Sequence, residues 1–312
     1  MTREQKREQK LVDYYKDWME TYKKDVVRKV TYKKYIGTLN SLEKIVPDLK
    51  MSELTRASYQ NILNIYAKEH EKTTTQDFHH LLRAAIIDAF DERILERDVS
   101  HRAVVKGRLP VIQKKVKYLN KKELEKLLEV LELEPKISWD WLILLVAKTG
   151  LRFEEAIALT PSDFDFNNLR LNVNKALDYK DTMQFCKTKN ESSVRSILLD
   201  YRTAMAFERL IKDIDRNERI FKLEQGKKIY PSTPNGRLLK LCQKAGIQEI
   251  SMHGLRHTHA SLLMYEGITL STISRRLGHA SLVTTQRVYL HMIRELETKD
   301  EGKIMAAMME LQ

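Results

Sequence analysis

The sequence predicts a mainly α-helical fold with a small antiparallel β-sheet, organised as two domains. Apolar residues recur at helical spacing through most of the first hundred residues and again from Arg202 to the end. Between these regions, residues 164–173 alternate apolar and polar side chains, as half-buried strands do. With 312 residues, the chain is longer than a single hydrophobic core usually supports. A helical domain followed by a mixed α/β domain accounts for all three observations.

The first domain is predicted over residues 1–100 as a compact bundle of four helices. Its first helix has apolar side chains at the i, i+3, i+4, i+7 spacing that places them on one face: Leu11, Tyr14, Tyr15 and Trp18. Three further periodic segments follow, around Tyr32–Ile45, Tyr59–Tyr66 and Phe78–Phe90. We expect Thr73–Thr75 to cap the last helix, because threonine hydroxyls accept hydrogen bonds from the free N–H groups of a helix start.

A basic interdomain linker is predicted over residues 101–117. The stretch His101–Pro110 breaks the helical periodicity and contains both Gly107 and Pro110. Its positive charge fits a segment that contacts phosphate, and it equally fits a solvated tether. The sequence leaves both interpretations open.

The second domain is predicted over residues 118–312. Asn120 is a suitable N-cap for a helix over Lys121–Leu131, and the apolar stretch Trp139–Ala147 continues the helical region. Residues 164–173 then carry the strand signature, with an Asn-Asn turn candidate. Two more short strands joined by a lysine-rich turn are expected at Phe185–Thr188 and Ser193–Leu198. Helices resume after them and continue to the end.

The charge balance points to a polyanionic partner. The chain has 55 Lys and Arg against 43 Asp and Glu, which gives a net charge of +12. Such a balance suits nucleic acid or an anionic membrane face. A membrane is disfavoured, because no apolar run approaches the roughly 20 residues of a spanning helix and the N-terminus has no signal-peptide core. Two distant cysteines without metal-ligand spacing, Cys186 and Cys242, predict a reduced, intracellular protein.

One tyrosine and two arginines have the chemistry to break and rejoin a phosphodiester without ATP. Such a reaction needs a nucleophile that keeps the bond energy in a covalent phospho-enzyme, and Tyr289 is the candidate. Arg152 and Arg256 would bind the non-bridging oxygens, since guanidinium groups match that geometry in a bidentate manner. His253 lies three residues before Arg256 and shares its helix face. In a purely structural reading, Arg152 only pairs with Glu155 across one helical turn.

Two further roles complete the predicted site. His279 follows a glycine in a tight-turn context before the Tyr289 helix, so it could lie beside the same phosphate. The leaving 5′-oxygen needs a proton donor. A lysine in the turn between two strands, Lys187 or Lys189, could supply that proton.

A metal site is the main competing interpretation of the histidines. His253 and His257 are four residues apart, as zinc ligands on a helix can be. However, Gly254 occupies the position where a zinc-protease helix needs its glutamate, and no nearby Cys or Asp completes a ligand set. We therefore predict no metal. His257 and His259 are interpreted as core histidines with satisfied hydrogen bonds.

Taken together, five motifs resemble the tyrosine recombinase (phage integrase) family over about residues 120–290. They are Thr-Gly-Leu-Arg152-x-x-Glu, Lys187-Thr-Lys-Asn, His253-x-x-Arg256 followed by His-Thr-His-Ala-Ser, Leu-Gly-His279, and Thr-Thr-x-x-x-Tyr289. The resemblance implies a catalytic set of Arg152, Lys187, His253, Arg256, His279 and Tyr289. It also implies that Glu155 orients the site without reacting, and that no cofactor is needed.

The resemblance further implies an integrase of the bacteriophage or conjugative-transposon type. Such enzymes cleave each strand through a 3′-phosphotyrosine, within a homo-tetramer on two double-stranded DNA attachment sites. Two domains form a C-shaped clamp on DNA, and an excisionase or a host DNA-bending factor assists. The expected location is the bacterial cytoplasm, in association with the nucleoid. Two alternatives are a type IB topoisomerase-like enzyme and a non-catalytic DNA-binding protein.

Basic side chains outside the predicted site are candidates for phosphate contact. They lie in two groups: Lys29, Lys33 and Lys34 in the helical domain, and Arg102, Lys106 and Arg108 in the linker. The apolar tail at Ile304–Leu311 is expected to contact a neighbouring subunit.

Overall fold

The computed structural model describes residues 2–108, 118–188, 190–222, 230–283, 285–286, 305 and 308–309. The chain divides into two compact units, Met1–Lys114 and Lys115–Gln312. Each unit has its own hydrophobic core. The architecture is mainly helical with small antiparallel sheets, as the sequence predicted. Among the described residues, no helix combines the length and the apolar character that a membrane span requires.

The described part of the first unit is built from helices. They are α1 (Arg3–Glu8), α2 (Leu11–Tyr22), α3 (Lys29–Ile45), α4 (Arg56–Glu69) and α5 (Lys72–Asp91). All four apolar side chains predicted to share a face of α2 are buried. Their burial against α3 and α5 forms the centre of this core. Trp18 is fixed further, because its indole Nε1 donates a hydrogen bond to Asp88 Oδ2 at 2.6 Å.

The predicted threonine cap of α5 is wrong. The helix begins at Lys72, with Glu71 as its N-cap residue, so the three threonines lie inside its first turns. Thr75 is buried, and its hydroxyl donates to the Glu71 carbonyl oxygen at 3.2 Å. A threonine hydroxyl that bonds one turn back in this way has its hydrogen bond satisfied inside the helix, so threonines are not confined to helix starts.

The segment that follows α5 packs against the first unit as far as the structure describes it. Val104 exchanges two hydrogen bonds of 2.8 Å with the Gln60 side chain, and the Arg108 amide donates to the His70 carbonyl. At Gly107, a Cβ atom would lie 2.0 Å from the Lys72 backbone nitrogen, so only glycine permits this approach. Residues 109–117, the rest of the predicted linker, lie outside the described residues.

The second unit combines helices with short strands. Its described helices are α6 (Lys121–Glu129), α7 (Trp139–Thr149), α8 (Phe153–Ala156), α9 (Tyr201–Ile211), α10 (Ser232–Lys244), α11 (Met252–Tyr265) and α12 (Leu270–Leu277). Asn120 caps α6 as predicted, accepting a hydrogen bond from the Glu123 amide at 3.0 Å. Helix α7 is apolar on nearly all sides and packs against α8, α10 and α11 at the centre of the core.

The strands form two sheets rather than one. They are β1 (Phe164–Asp165), β2 (Arg170–Val173), β3 (Lys175–Leu177), β4 (Phe185–Lys187) and β5 (Arg195–Leu198). Antiparallel β1, β2 and β5 make a three-stranded sheet, while β3 and β4 pair separately. Strand β3 was not predicted, because its three residues do not alternate between buried and exposed positions. The two strands expected at Phe185–Thr188 and Ser193–Leu198 correspond to β4 and β5, and these lie in different sheets.

Candidate active site

Two arginines are anchored on the same turn of the second unit. Arg152 is the N-cap residue of α8, and its Nη2 donates to the Gly278 carbonyl oxygen at 2.8 Å. Arg256 lies in α11 with only 3% of its surface exposed. Its Nη1 donates to the Gly150 carbonyl oxygen and its Nη2 to that of Leu277, both at 2.7 Å. Residues separated by 104 positions are thereby brought to consecutive carbonyl groups.

Two glycines in the left-handed conformation make this anchoring possible. Gly150 ends α7 with φ of 69°, and Gly278 ends α12 with φ of 67°. A Cβ atom on Gly150 would lie 2.8 Å from His259 Cδ2. A Cβ atom on Gly278 would lie 2.8 Å from Arg195 Nη1 and 3.0 Å from Ser193 Cα. Both turns therefore require glycine for conformation and for space.

Glu155 is a buried carboxylate held between two arginines. Its Oε1 accepts from Arg152 Nη1 at 2.7 Å, and its Oε2 accepts from Arg195 Nη2 at 2.9 Å. The side chain is 2% exposed, and burial alone would raise its pKa. The bonds and charges of Arg195 and Arg152 outweigh burial, so the pKa of Glu155 lies below its ordinary value. The structural pairing of Arg152 with Glu155 thus coexists with the anchoring of Arg152 at Gly278.

His279 lies within the electrostatic field of the arginines. Burial, followed by the positive charges of Arg256 and Arg152, lowers the pKa of His279 to about 4. Its Nδ1 is 2.8 Å from the hydroxyl of buried Thr285. The imidazole is therefore neutral at neutral pH, with one ring nitrogen that donates a hydrogen bond and one that accepts a hydrogen bond or a proton.

The histidines of α11 have different environments. His253 is exposed, and its ring meets that of His257 edge-on, with 4.7 Å between the ring centroids. His257 is only half-buried, so its interpretation as a core histidine is wrong. His259 is a satisfied core histidine, as predicted: Arg276 Nε donates to its Nε2 at 2.9 Å. Its Nδ1 therefore carries the proton and donates to the Ala147 carbonyl oxygen at 3.0 Å. Within the described residues, no three His, Cys, Asp or Glu side chains are arranged to hold a metal ion.

Lys187 ends β4 and is exposed. The register places it opposite Lys175, whose ammonium group is bound to Asp163 Oδ1 at 2.6 Å. The β3–β4 hairpin is linked to the arginine site, because β3 packs against α8. Lys189, the other candidate proton donor, lies outside the described residues.

The predicted nucleophile, Tyr289, also lies outside the described residues. Thr285, four positions before it, is described and is bound to His279.

Three site residues were missed by sequence reasoning: Ser193, Arg195 and Arg276. Ser193 is buried, and its hydroxyl accepts from Arg152 Nη1 at 3.2 Å. Arg195 completes the pairing of Glu155, and Arg276 binds His259. Their partners are 17 to 41 positions away in the chain. No local spacing signals such contacts, although an arginine pointing inward from a strand is a weak indication of a buried partner.

The six basic residues proposed for DNA contact are all exposed. In the first unit, Lys29 begins α3 and Lys33 follows one turn later. Lys34 forms an exposed ion pair with Asp77 at 3.1 Å. The others are Arg102, Lys106 and Arg108, in the segment that packs on this unit.

Comparison with known proteins places the chain among integrases and tyrosine recombinases. Residues 117–295 match the family model described as the phage integrase family. The chain is 26% identical over 317 residues to a XerC-like tyrosine recombinase of Caldanaerobacter subterraneus subsp. tengcongensis, covering 90% of this chain and 80% of that protein. It is 30% identical over 216 residues to the ICEBs1 integrase of Bacillus subtilis, covering 65% of this chain and 57% of that protein.

The fold is also similar to that of a solved integrase. The Tn1549 transposon integrase, determined in complex with transposon right end DNA, matches with a TM-score of 0.73 at 17% identity, covering 90% of this chain and 95% of that chain. The chain belongs to the phage integrase family, the tyrosine-type site-specific DNA recombinases. For several curated relatives, including the Staphylococcus phage L54a integrase, the match spans about half of the relative's length.

Proposed function

We propose that this protein cleaves and rejoins DNA at specific sites, with Tyr289 as nucleophile, to integrate and excise a mobile genetic element. The observation that carries the proposal is the convergence of Arg152 and Arg256 on the carbonyl groups that directly precede His279. Two guanidinium groups at one turn form a cationic site that suits a phosphodiester. The match to the phage integrase family supports the same chemistry.

The proposed reaction is a transesterification. The Tyr289 oxygen attacks the scissile phosphorus, and the bond from phosphorus to the 5′-oxygen breaks. Arg152 and Arg256 stabilise the charge that grows on the non-bridging oxygens. Lys187 gives a proton to the departing 5′-oxygen. The product is a 3′-phosphotyrosine with a free 5′-hydroxyl. The 5′-hydroxyl of a second strand then attacks the phosphotyrosine, which forms a new phosphodiester and releases Tyr289.

The two histidines have distinct proposed roles. His279 is neutral at physiological pH and can accept the phenolic proton or bond a phosphate oxygen. His253 lies three residues before Arg256 on α11, so both side chains can reach one phosphate. Glu155 holds Arg152 in place and does not exchange protons during the reaction.

DNA binding and assembly follow from the same proposal. The exposed basic residues of the first unit contact the phosphate backbone of the duplex. Four copies assemble on two attachment sites, with an excisionase or a host DNA-bending factor as accessory protein. The enzyme acts at the bacterial nucleoid, in the cytoplasm. DNA binding is supported by the Tn1549 transposon integrase, which is similar in fold and was determined in complex with transposon right end DNA.

A covalent-trapping experiment tests the proposal. The protein is incubated with a library of nicked duplexes that share flanks but have a randomised core, and protein-linked DNA is recovered after SDS denaturation. The wild-type protein should form covalent adducts with a defined subset of the sequences, both in the presence and in the absence of EDTA. Loss of the adduct in EDTA would contradict the metal-free chemistry, and the absence of any adduct would contradict the function.

A second measurement separates recombination from the topoisomerase alternative. Supercoiled plasmids carrying one or two copies of the recovered site are incubated with the protein. Exchange between paired sites supports the recombinase, which the family match favours. Relaxation of both plasmids without exchange would support a type IB topoisomerase-like enzyme.

A further inference from the structure

We propose that Arg195 is a positioning residue for strand cleavage, which fixes Arg152 and the turn before His279 in one arrangement. This inference rests on the proposed cleavage function. Arg195 begins β5, and its side chain is only 6% exposed. It touches no position expected to bind substrate, so its effect is exerted through its neighbours.

The first link runs to Arg152 through Glu155. Arg195 Nη2 donates to Glu155 Oε2 at 2.9 Å, and Arg195 Nη1 donates to Oε1 at 3.2 Å. The same Oε1 accepts from Arg152 Nη1 at 2.7 Å. One carboxylate therefore receives both guanidinium groups, and Arg195 helps to fix the orientation in which it holds Arg152.

The second link runs to the end of α12. Arg195 Nε donates to the Arg276 carbonyl oxygen at 2.6 Å, two residues before Gly278. Arg195 Nη1 also donates to the Ser193 carbonyl oxygen at 2.8 Å and lies directly against Gly278. A single side chain thus connects α8, β5 and the turn that leads to His279.

Only an arginine can make this set of contacts. The planar guanidinium group presents five N–H donors in a fixed fork, whereas a lysine ammonium group acts as a point charge. A buried ion pair adds little net stability, because desolvation of both charges offsets much of their attraction. The ion pair between Arg195 and Glu155 is therefore better explained by the geometry that it imposes on the site than by a gain in stability.

Single-turnover cleavage of a nicked duplex recovered from the randomised library tests this inference. Arg195→Gln should slow adduct formation by about 100-fold, the scale expected when a reacting group is displaced by about an ångström. Arg195→Lys, which restores the charge without the fork, should recover only part of the rate. The DNA dissociation constant should stay within about threefold, because phosphate contacts along the duplex dominate affinity.

Arg237→Gln is the matched control. Arg237 also binds a buried carboxylate, with its Nε 2.7 Å from Asp140 Oδ1, but its partners lie outside the arginine site. This variant should lose stability and keep the wild-type cleavage rate. A slowing equal to that of Arg195→Gln would contradict positioning and indicate a general effect of stability.

A double-mutant cycle provides the second readout. Arg195→Gln and Glu155→Gln both remove the link between these two residues, so the loss of rate in the double variant should be smaller than the two single losses combined. Additive losses, or wild-type rates in both Arg195 variants, would overturn the inference. If Arg195→Gln does not fold, Arg195→Lys decides the question by its rate. Failure of the wild type to form any adduct would instead overturn the proposed function.

Discussion

Arg152 and Arg256 donate hydrogen bonds to consecutive carbonyl groups, Arg152 to Gly278 at 2.8 Å and Arg256 to Leu277 at 2.7 Å. The positions of the two guanidinium groups therefore depend on the C-terminal end of α12, and so does the position of His279. A displacement of this helix end would move all three side chains together. This shared anchoring makes the turn as important for the site as the charged residues themselves.

Replacement of Arg152 by lysine should strongly reduce cleavage. Arg152 contacts Glu155, Ser193 and Gly278 at once, and a lysine cannot reproduce these three directions. We expect Arg152→Lys to slow adduct formation by about 100-fold to 1,000-fold, as loss of an oriented donor to a developing anion does. Single-turnover cleavage of a recovered duplex measures this effect. A rate within a few-fold of wild type would show that charge alone suffices.

Replacement of Gly278 by alanine tests the turn. The left-handed conformation costs an alanine about 1 kcal/mol, and the new methyl group would also press on Arg195. Gly278→Ala should therefore lower both stability and cleavage. Gly246→Ala is the control, because Gly246 has φ of 62° and a Cβ atom there would meet no atom within 4 Å. The control should lose stability only. Equal cleavage rates in the two variants would contradict the role of the turn.

Glu155 should make stability dependent on pH in the acidic range. Its folded pKa lies below the ordinary value, so the ionised form stabilises the fold above that value, and the stabilisation is lost as pH falls through the folded pKa. Glu155→Gln leaves two arginines without their anion and should cost about 3 to 5 kcal/mol at pH 7. Urea unfolding at pH 7 and pH 4 measures both effects. The difference between wild type and variant should shrink at pH 4, and a constant difference would contradict the ionised state.

His279 should also contribute to acid sensitivity. Its folded pKa of about 4 lies below the ordinary 6.5, so the unfolded chain takes up a proton first as pH falls. The free energy of unfolding should therefore decrease between about pH 6.5 and pH 4. His279→Gln should lose less stability over this interval than wild type. An equal loss, measured by urea unfolding at several pH values, would show that the pKa of His279 is not lowered.

The sequence predicted the helices that have long apolar periodicity. It did not predict features that depend on contacts between residues distant in the chain. The buried face of α2 and the Asn120 cap depend on local spacing, and both predictions are confirmed. The start of α5 was misplaced, because threonines fit both inside a helix and at its start. Strand β3 lacks alternation of buried and exposed residues, and no local pattern indicates its pairing with β4 or its packing against α8.

The candidate site divides in the same way. The spacing of His253 and Arg256 on one helix was visible in the sequence, and so were the glycine turns that bear the arginine contacts. The partnership of Arg195 with Glu155 spans 40 positions and could not be derived from any local pattern. Sequence motifs therefore identified the groups proposed to meet the phosphate, whereas the structure revealed what holds them.

The central claim is that Tyr289 carries the DNA after cleavage, and peptide mapping of the trapped adduct tests it most directly. The adduct is digested with nuclease and trypsin, and the nucleotide-bearing peptide is identified by mass spectrometry. We predict modification of Tyr289 and loss of the adduct in Tyr289→Phe, with DNA binding retained. Tyr265→Phe, at a tyrosine that is 47% exposed, should form the adduct normally. Modification of any other residue, or an adduct that persists in Tyr289→Phe, would contradict the account.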